Sequence, residues 1–194
     1  ALPNQVHEVR IMYANEGYQR MPEFRGFGLD EGCRLLPPSP LPVRKIEFIG
    51  DSMTCGYGVE TTDEKEGFSD ETANHYYTYA ALSARALKAQ HVVVARSGIG
   101  IYRNYNGPKT GNADCMPRVY DQTLFGVDTL KWDFARYTPD VVCVNLGTND
   151  VSTDPNDRDF LENGYQNFYK RLRTYYPNAK SVFLSGSMLT GQRL

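Results

Sequence analysis

The sequence predicts an α/β fold built on a doubly wound parallel sheet, and three observations predict it. From residue 43 onward, strand-length apolar runs alternate with helix-length segments, the pattern of strands joined by helical crossovers. The runs Ile46-Glu47-Phe48-Ile49, Val92-Val93-Val94 and Val141-Val142-Cys143-Val144 read as strands buried under helices on both faces. Each run is followed by a short polar motif: Gly50-Asp51-Ser52, Ser97-Gly98 and Gly147-Thr148-Asn149-Asp150. In an open parallel sheet the carboxyl ends of the strands share one crevice.

The elements follow in order. Val6 to Ala14 alternates loosely and reads as a strand. Glu23 to Leu29 reads as a second, bounded by Asp30-Glu31-Gly32. Two strands cannot bury themselves alone, so residues 1–42 read as the tail of a β-domain ending in a linker. That linker, Leu36-Pro37-Pro38-Ser39-Pro40-Leu41-Pro42, is stiff because its prolines carry no N–H for helix or sheet. Residues 43–194 form the second domain. Its first strand is Arg44 to Ile49, followed by a Gly- and acid-rich loop over 56–71 and an alanine-rich helix from Asn74 to Ala89. A second strand, Val92 to Arg96, leads through a loop to a helical stretch near Arg118 to Arg136. The third strand is Val141 to Leu146. In the next helix, Phe160 to Tyr176, Leu161, Tyr165, Phe168, Tyr169, Leu172 and Tyr176 recur at helical spacing. Pro177 stops that helix, and Ser181 to Ser185 is the fourth strand. A doubly wound sheet normally continues with further helix and strand, so the expectation is that the C-terminal strand and helix lie beyond Leu194.

Bulk properties exclude several function classes. A net charge of −2 points to neither nucleic acid nor an anionic membrane surface. The longest apolar runs are strand-length, too short to span a bilayer, and the first residues carry no signal-peptide pattern. Four cysteines, Cys33, Cys55, Cys115 and Cys143, lack the paired spacing of a zinc site, and Cys143 reads as a small buried hydrophobe. Ser97-Gly98-Ile99-Gly100 is not a dinucleotide fingerprint, and no phosphate loop is present. Asp154-Pro155-Asn156-Asp157-Arg158-Asp159 lacks the glycine and terminal glutamate of a calcium loop and reads as a helix cap. No metal or cofactor is expected.

The three strand ends carry complementary chemistry. Ser52 sits where a strand turns sharply and can expose its hydroxyl above the sheet, although the Gly-x-Ser-x-Gly elbow is absent. An acyl-transfer intermediate develops an oxyanion that needs preorganised donors. The N–H of Ser52, the N–H of Gly98 and the amide of Asn149 supply three; Gly100, two positions on, is the alternative to Gly98. Asp51 and Asp150 read as turn-holding carboxylates. Tyr105, beside Tyr102 and Asn104, is the candidate substrate contact, with loop packing as the equal alternative.

These blocks resemble those of the SGNH, or GDSL-type, hydrolase superfamily. The longer string from Arg44 through Gly50-Asp51-Ser52-Met53-Thr54-Cys55-Gly56-Tyr57-Gly58 resembles carbohydrate esterase family two, as does a β-domain remnant joined by a proline linker. The resemblance implies a flavodoxin-like hydrolase domain behind a β-sandwich (jelly-roll) domain. It implies a secreted serine esterase removing O-acetyl groups from xylan or mannan. It makes Ser52 the nucleophile, with Gly98 and Asn149 completing the oxyanion hole. Two alternatives are a carbohydrate-binding module using the same cleft without turnover and a generic GDSL lipase or thioesterase. The superfamily's base is a histidine in a late Asp-x-x-His block, which is absent here. Of His7, His75 and His91, the first lies in the β-remnant, the second reads as a surface or loop residue, and the third directly precedes strand two at the far end of the sheet. The base is expected beyond Leu194.

Overall fold

Four strands, β1 (Arg44–Gly50), β2 (Ala89–Ala95), β3 (Val141–Asn145) and β4 (Lys180–Phe183), form one parallel sheet in the order β2-β1-β3-β4. The computed structural model describes residues 3, 5–17, 22–153 and 155–186. The expected loop past the fourth strand, and Asp154 of the aspartate run, lie outside them. β2 flanks β1 on one side and β3 on the other, so the winding direction reverses at β1. The crevice between β1 and β3 is the switch point where ligands of open α/β sheets bind. Register sharpens this: Gly50 lies opposite both Ala95 and Asn145, so the three strands end in line.

Alternation along β1 sorts its side chains between two cores. Ile46 and Phe48 point to one face and meet Ala80 and Ala84 of α2 (Tyr79–Ala86). Ile49 points to the other and joins Phe168 and Leu172 of α4 (Arg158–Tyr175). The alanines bring α2 close to the sheet; both are fully buried. Phe168 and Leu172 are four apart and share one face of α4; burying a side chain of this size stabilises the fold by roughly 2–3 kcal/mol. The caps are local. Thr78 accepts from the Ala81 N–H and Asp157 from the Phe160 N–H, as N-cap oxygens do. One polar side chain breaks the apolar pattern of β1: Glu47 is buried and its carboxylate accepts from the Tyr120 hydroxyl. Burial raises its pKa, and the tyrosine hydrogen bonds oppose that shift.

Several boundaries differ from the sequence expectation. The helical stretch expected near Arg118 to Arg136 is mostly turns. Only α3 (Met116–Val119) and a 3-10 turn at Phe134–Arg136 form, with an isolated bridge between Gln122 and Lys131. Gly126 at φ +84° interrupts the run, and tertiary contacts hold the rest: Phe134 stacks on Tyr175 at 3.7 Å and Asp121 pairs with Arg171 at 2.8 Å. The alanine-rich helix is broken at Thr78 into a 3-10 turn (His75–Tyr77) and α2. Residues 6–14 and 23–29 carry no strand, and the described residues offer them no partner ladder. Val6, Val9, Phe24 and Phe27 there are exposed. The segment nevertheless docks at one point. The Ala14 carbonyl accepts from the His75 N–H at 2.8 Å, and the Asn15 amide donates to the Asp70 carbonyl at 2.8 Å.

Candidate active site

The turn after β1 is compressed. A Cβ on Gly50 would fall 2.0 Å from Thr54 Oγ1, so glycine lets the four-residue α1 (Ser52–Cys55) fold back on its strand. Asp51 caps that turn, accepting from the Met53 N–H at 3.1 Å. Ser52 opens α1 and is half-buried. Among the described residues its hydroxyl and its N–H make no hydrogen bond. Asp51 is wholly buried; desolvation, with a further push from Asp150, raises its pKa to about 6 against the pull of the Met53 N–H.

The turn after β2 carries the second donor. Gly98 has φ +78° and open space around its Cα, the nearest atom to an added Cβ being Tyr105 Cβ at 3.8 Å. Its N–H donates to nothing among the described residues. Gly100 differs on both counts: its N–H donates to Asn104 Oδ1 at 3.1 Å, and an added Cβ would lie 1.9 Å from the Arg103 carbonyl oxygen. Gly100 is therefore a packing glycine, and Gly98 presents the unengaged amide.

Asn149, after β3, joins the two turns. Its Nδ2 donates to the Ile99 carbonyl at 2.9 Å and faces Asp51 Oδ2 at 3.4 Å. One nitrogen thus touches the residue after Gly98 and the residue before Ser52. Asp150 binds the same loop through backbone alone. Its carboxylate accepts from the N–H groups of Ile101 at 3.0 Å, Tyr102 at 2.8 Å and Arg103 at 3.0 Å. Burial raises its pKa and these hydrogen bonds counter the shift. Both aspartates therefore hold turns. Arg103, itself buried, extends the brace by donating to the Gly107 and Thr153 carbonyls at 2.8 Å each.

A cleft of about 500 Å³ opens beside Gly98, lined by Arg96, Ser97, Asn104, Tyr105, Phe125 and Gly126. Tyr105 is 60% exposed and its N–H donates to the Gly98 carbonyl at 2.8 Å. Ser52 does not line this cleft. The histidines lie elsewhere. His7 is exposed and bonds the Pro3 carbonyl. His91 lies inside β2 opposite Ile46, because the strand begins at Ala89, three residues before the expected start at Val92. His75 is no surface residue: it is half-buried, its Nδ1–H donates to the Thr54 carbonyl at 2.8 Å, and its Nε2 meets His91 Nε2 at 3.2 Å. Burial lowers both pKa values. No histidine reaches the Ser52 hydroxyl.

The sequence reading missed Glu16, which is 9% exposed and accepts from the Ser97 N–H at 2.8 Å. No local pattern flags it. Its partner is 81 residues away. Among the described residues no group of three or more His, Cys, Asp or Glu side chains could hold a metal ion, and no helix is long and apolar enough to cross a membrane.

Residues 48–193 match the family model of the GDSL-like Lipase/Acylhydrolase family. Cellulase/esterase CelE of Acetivibrio thermocellus is 43% identical over 173 residues, 89% of this chain and 20% of that protein. An acetylxylan esterase / glucomannan deacetylase of Cellvibrio japonicus is 35% identical over 190 residues, 96% of this chain and 51% of that protein. A solved family two carbohydrate esterase from Clostridium thermocellum, in complex with cellohexaose, superposes with a TM-score of 0.77 at 40% identity, covering 83% of this chain and 48% of the other. The chain spans about half the length of these relatives or less. Family model, sequence relatives and fold agree, and the chain belongs to the GDSL-like lipase/acylhydrolase (SGNH) family, on the branch that resembles the family two carbohydrate esterases.

Proposed function

We propose that the protein is a serine esterase that removes O-acetyl groups from a plant cell-wall polysaccharide, xylan or mannan, outside the cell. One observation carries the reading: the three strand ends stand in register, and Asn149 Nδ2 bridges the turn before Ser52 to the turn after Gly98. The names of the relatives supply the substrate class. Ser52 Oγ attacks the acetyl carbonyl carbon and passes its proton to a base. The carbonyl π pair moves onto oxygen, where the Ser52 N–H, the Gly98 N–H and the Asn149 amide receive it. For Asn149 this uses the hydrogen now aimed along the long 3.4 Å contact to Asp51, a contact that tightens elsewhere once substrate arrives. Collapse of the intermediate breaks the bond to the sugar oxygen, which takes the proton from the base. Water, deprotonated by the same base, then attacks the acetyl-serine; collapse breaks the bond to Ser52 Oγ, which takes the proton back from the base, and acetate is released. Serine alone is a weak nucleophile. None of the three histidines hydrogen-bonds Ser52, and the base is proposed to be a further histidine of the full-length protein.

Tyr105 is the proposed sugar contact, since its exposed ring flanks the Gly98 cleft. Residues 1–42 are proposed to belong to a β-sandwich domain and 43–194 to the hydrolase domain. The exposed apolar side chains of the first segment support that division. The test is Ser52→Ala in the full-length protein, assayed on an aryl acetate and on acetylated xylan. Hydrolysis falls by at least ~10³-fold while affinity for oligosaccharide persists. Unchanged hydrolysis removes Ser52 from the mechanism. A wild-type protein that binds sugar without releasing acetate is instead a binding module, and a preference for long acyl chains marks a lipase.

A further inference from the structure

Four consecutive peptide groups pass through the turn after β2, and three of them are held by residues outside it. The Ser97 N–H donates to Glu16 Oε2 at 2.8 Å. On the other side the Gly98 carbonyl accepts from the Tyr105 N–H at 2.8 Å, and the Ile99 carbonyl after it accepts from Asn149. The peptide between, which carries the Gly98 N–H, donates to nothing among the described residues. We propose that Glu16 is a positioning residue for the esterase reaction: delivered by the N-terminal segment, its carboxylate fixes the peptide before Gly98 so that the Gly98 N–H faces the reacting oxygen. The inference rests on the esterase reading and adds a residue from outside the hydrolase core to it.

Glu16 is an unusual choice for a structural tether. It is 9% exposed, and among the described residues its second oxygen, Oε1, is buried without a hydrogen-bond partner. A carboxylate so placed has exchanged water for the hydrogen bond from the Ser97 N–H, which is costly unless the geometry it enforces has a use. Cys55 lies against it, at the end of the turn that Ser52 opens. Burial first, and then the charge of Glu16, pushes the Cys55 thiol up so that it stays protonated. The neighbours of Glu16 are pinned as well, Ala14 by the His75 N–H and Asn15 to the Asp70 carbonyl, each at 2.8 Å. The segment is thus clamped at the two residues immediately before the tether. An oxyanion donor is worth most when it is fixed before the charge develops.

The test compares Glu16→Ala and Glu16→Gln in the full-length protein with an aryl acetate. Glutamine keeps an acceptor for the Ser97 N–H; alanine removes it. Glu16→Ala is expected to lower kcat roughly tenfold with KM unchanged, and Glu16→Gln to restore most of the loss. In a 15N-labelled sample the Gly98 amide resonance moves in Glu16→Ala and stays near its wild-type position in Glu16→Gln. The proposal is overturned if kcat is unchanged in Glu16→Ala, if Glu16→Gln is equally impaired, or if the loss tracks only the fraction of folded protein. Ser52→Ala separates the two ideas: if it leaves hydrolysis intact the esterase reading fails, whereas a dead Ser52→Ala beside a normal Glu16→Ala sinks the positioning role alone.

Discussion

Replacing Asp150 by asparagine distinguishes a carboxylate that holds a turn from one that moves protons. Asp150 is fully buried and receives three backbone N–H groups, from Ile101, Tyr102 and Arg103. Asparagine offers one oxygen in place of two. All three N–H groups reach Oδ1, so asparagine can keep that acceptor, but its NH2 then replaces Oδ2 at 3.0 Å from the Ile101 N–H and sets donor against donor. Each unsatisfied buried group costs about 1–3 kcal/mol, and bonds to a charged acceptor are stronger than neutral ones. The expected destabilisation is therefore about 1–3 kcal/mol, from one donor–donor clash and the loss of the charged acceptor. For a chain of this size that lowers Tm by roughly 2–12 °C. Calorimetry and urea unfolding of the full-length variant measure it. Activity on an aryl acetate should fall too, because residues 101–103 continue directly from Gly98, and part of that activity should return when assays are run well below the lowered Tm. A variant with wild-type Tm and abolished hydrolysis would show that Asp150 acts in the chemistry and that its three hydrogen bonds are incidental.

Three further outcomes follow from particular contacts. Gly100→Ala places a Cβ 1.9 Å from the Arg103 carbonyl oxygen and should prevent stable folding of the loop, seen as lost soluble yield or a large fall in Tm. Gly98→Ala meets no such atom and should cost only the left-handed backbone penalty of about 1–2 kcal/mol while lowering kcat. Equal effects of the two would undo the distinction between donor and packing glycine. His91→Gln should change the acid limb of stability. Burial lowers the pKa of both His75 and His91, so the unfolded chain takes up protons first as pH falls below about 6.5. Stability contributed by the neutral pair is present above that pH and lost below it. The variant should lose stability less steeply toward acid pH, and an unaltered slope would show that the pair does not titrate with unfolding.

β1 and β3 are legible because buried parallel strands are written as continuous apolar runs, and Val141–Asn145 has no competing pattern; β2 is half-buried and β4 mostly exposed, yet both keep an apolar centre. α4 was legible for the opposite reason, since Phe168 and Leu172 repeat at helical spacing between an Asp157 cap and Pro177. The stretch after Arg118 misled because its apolar residues serve long-range contacts. Phe134 stacks on Tyr175, forty-odd positions away in the chain, and a local window cannot register that. The same limit hid Glu16. The site residues that sequence did propose are those that sit at strand ends, where topology alone gathers them; the residue that reaches in from a distant segment left no local mark. His75 reads as a loop residue for a related reason, since only folding brings His91 to its Nε2.

The most direct test of the central claim is a crystal structure of the full-length protein with Ser52 phosphonylated. The account predicts an adduct on Ser52 Oγ whose phosphonyl oxygen lies about 2.7–3.1 Å from the Ser52 N–H nitrogen, the Gly98 nitrogen and Asn149 Nδ2. An adduct on another residue, or an oxygen beyond reach of Gly98 and Asn149, would contradict it.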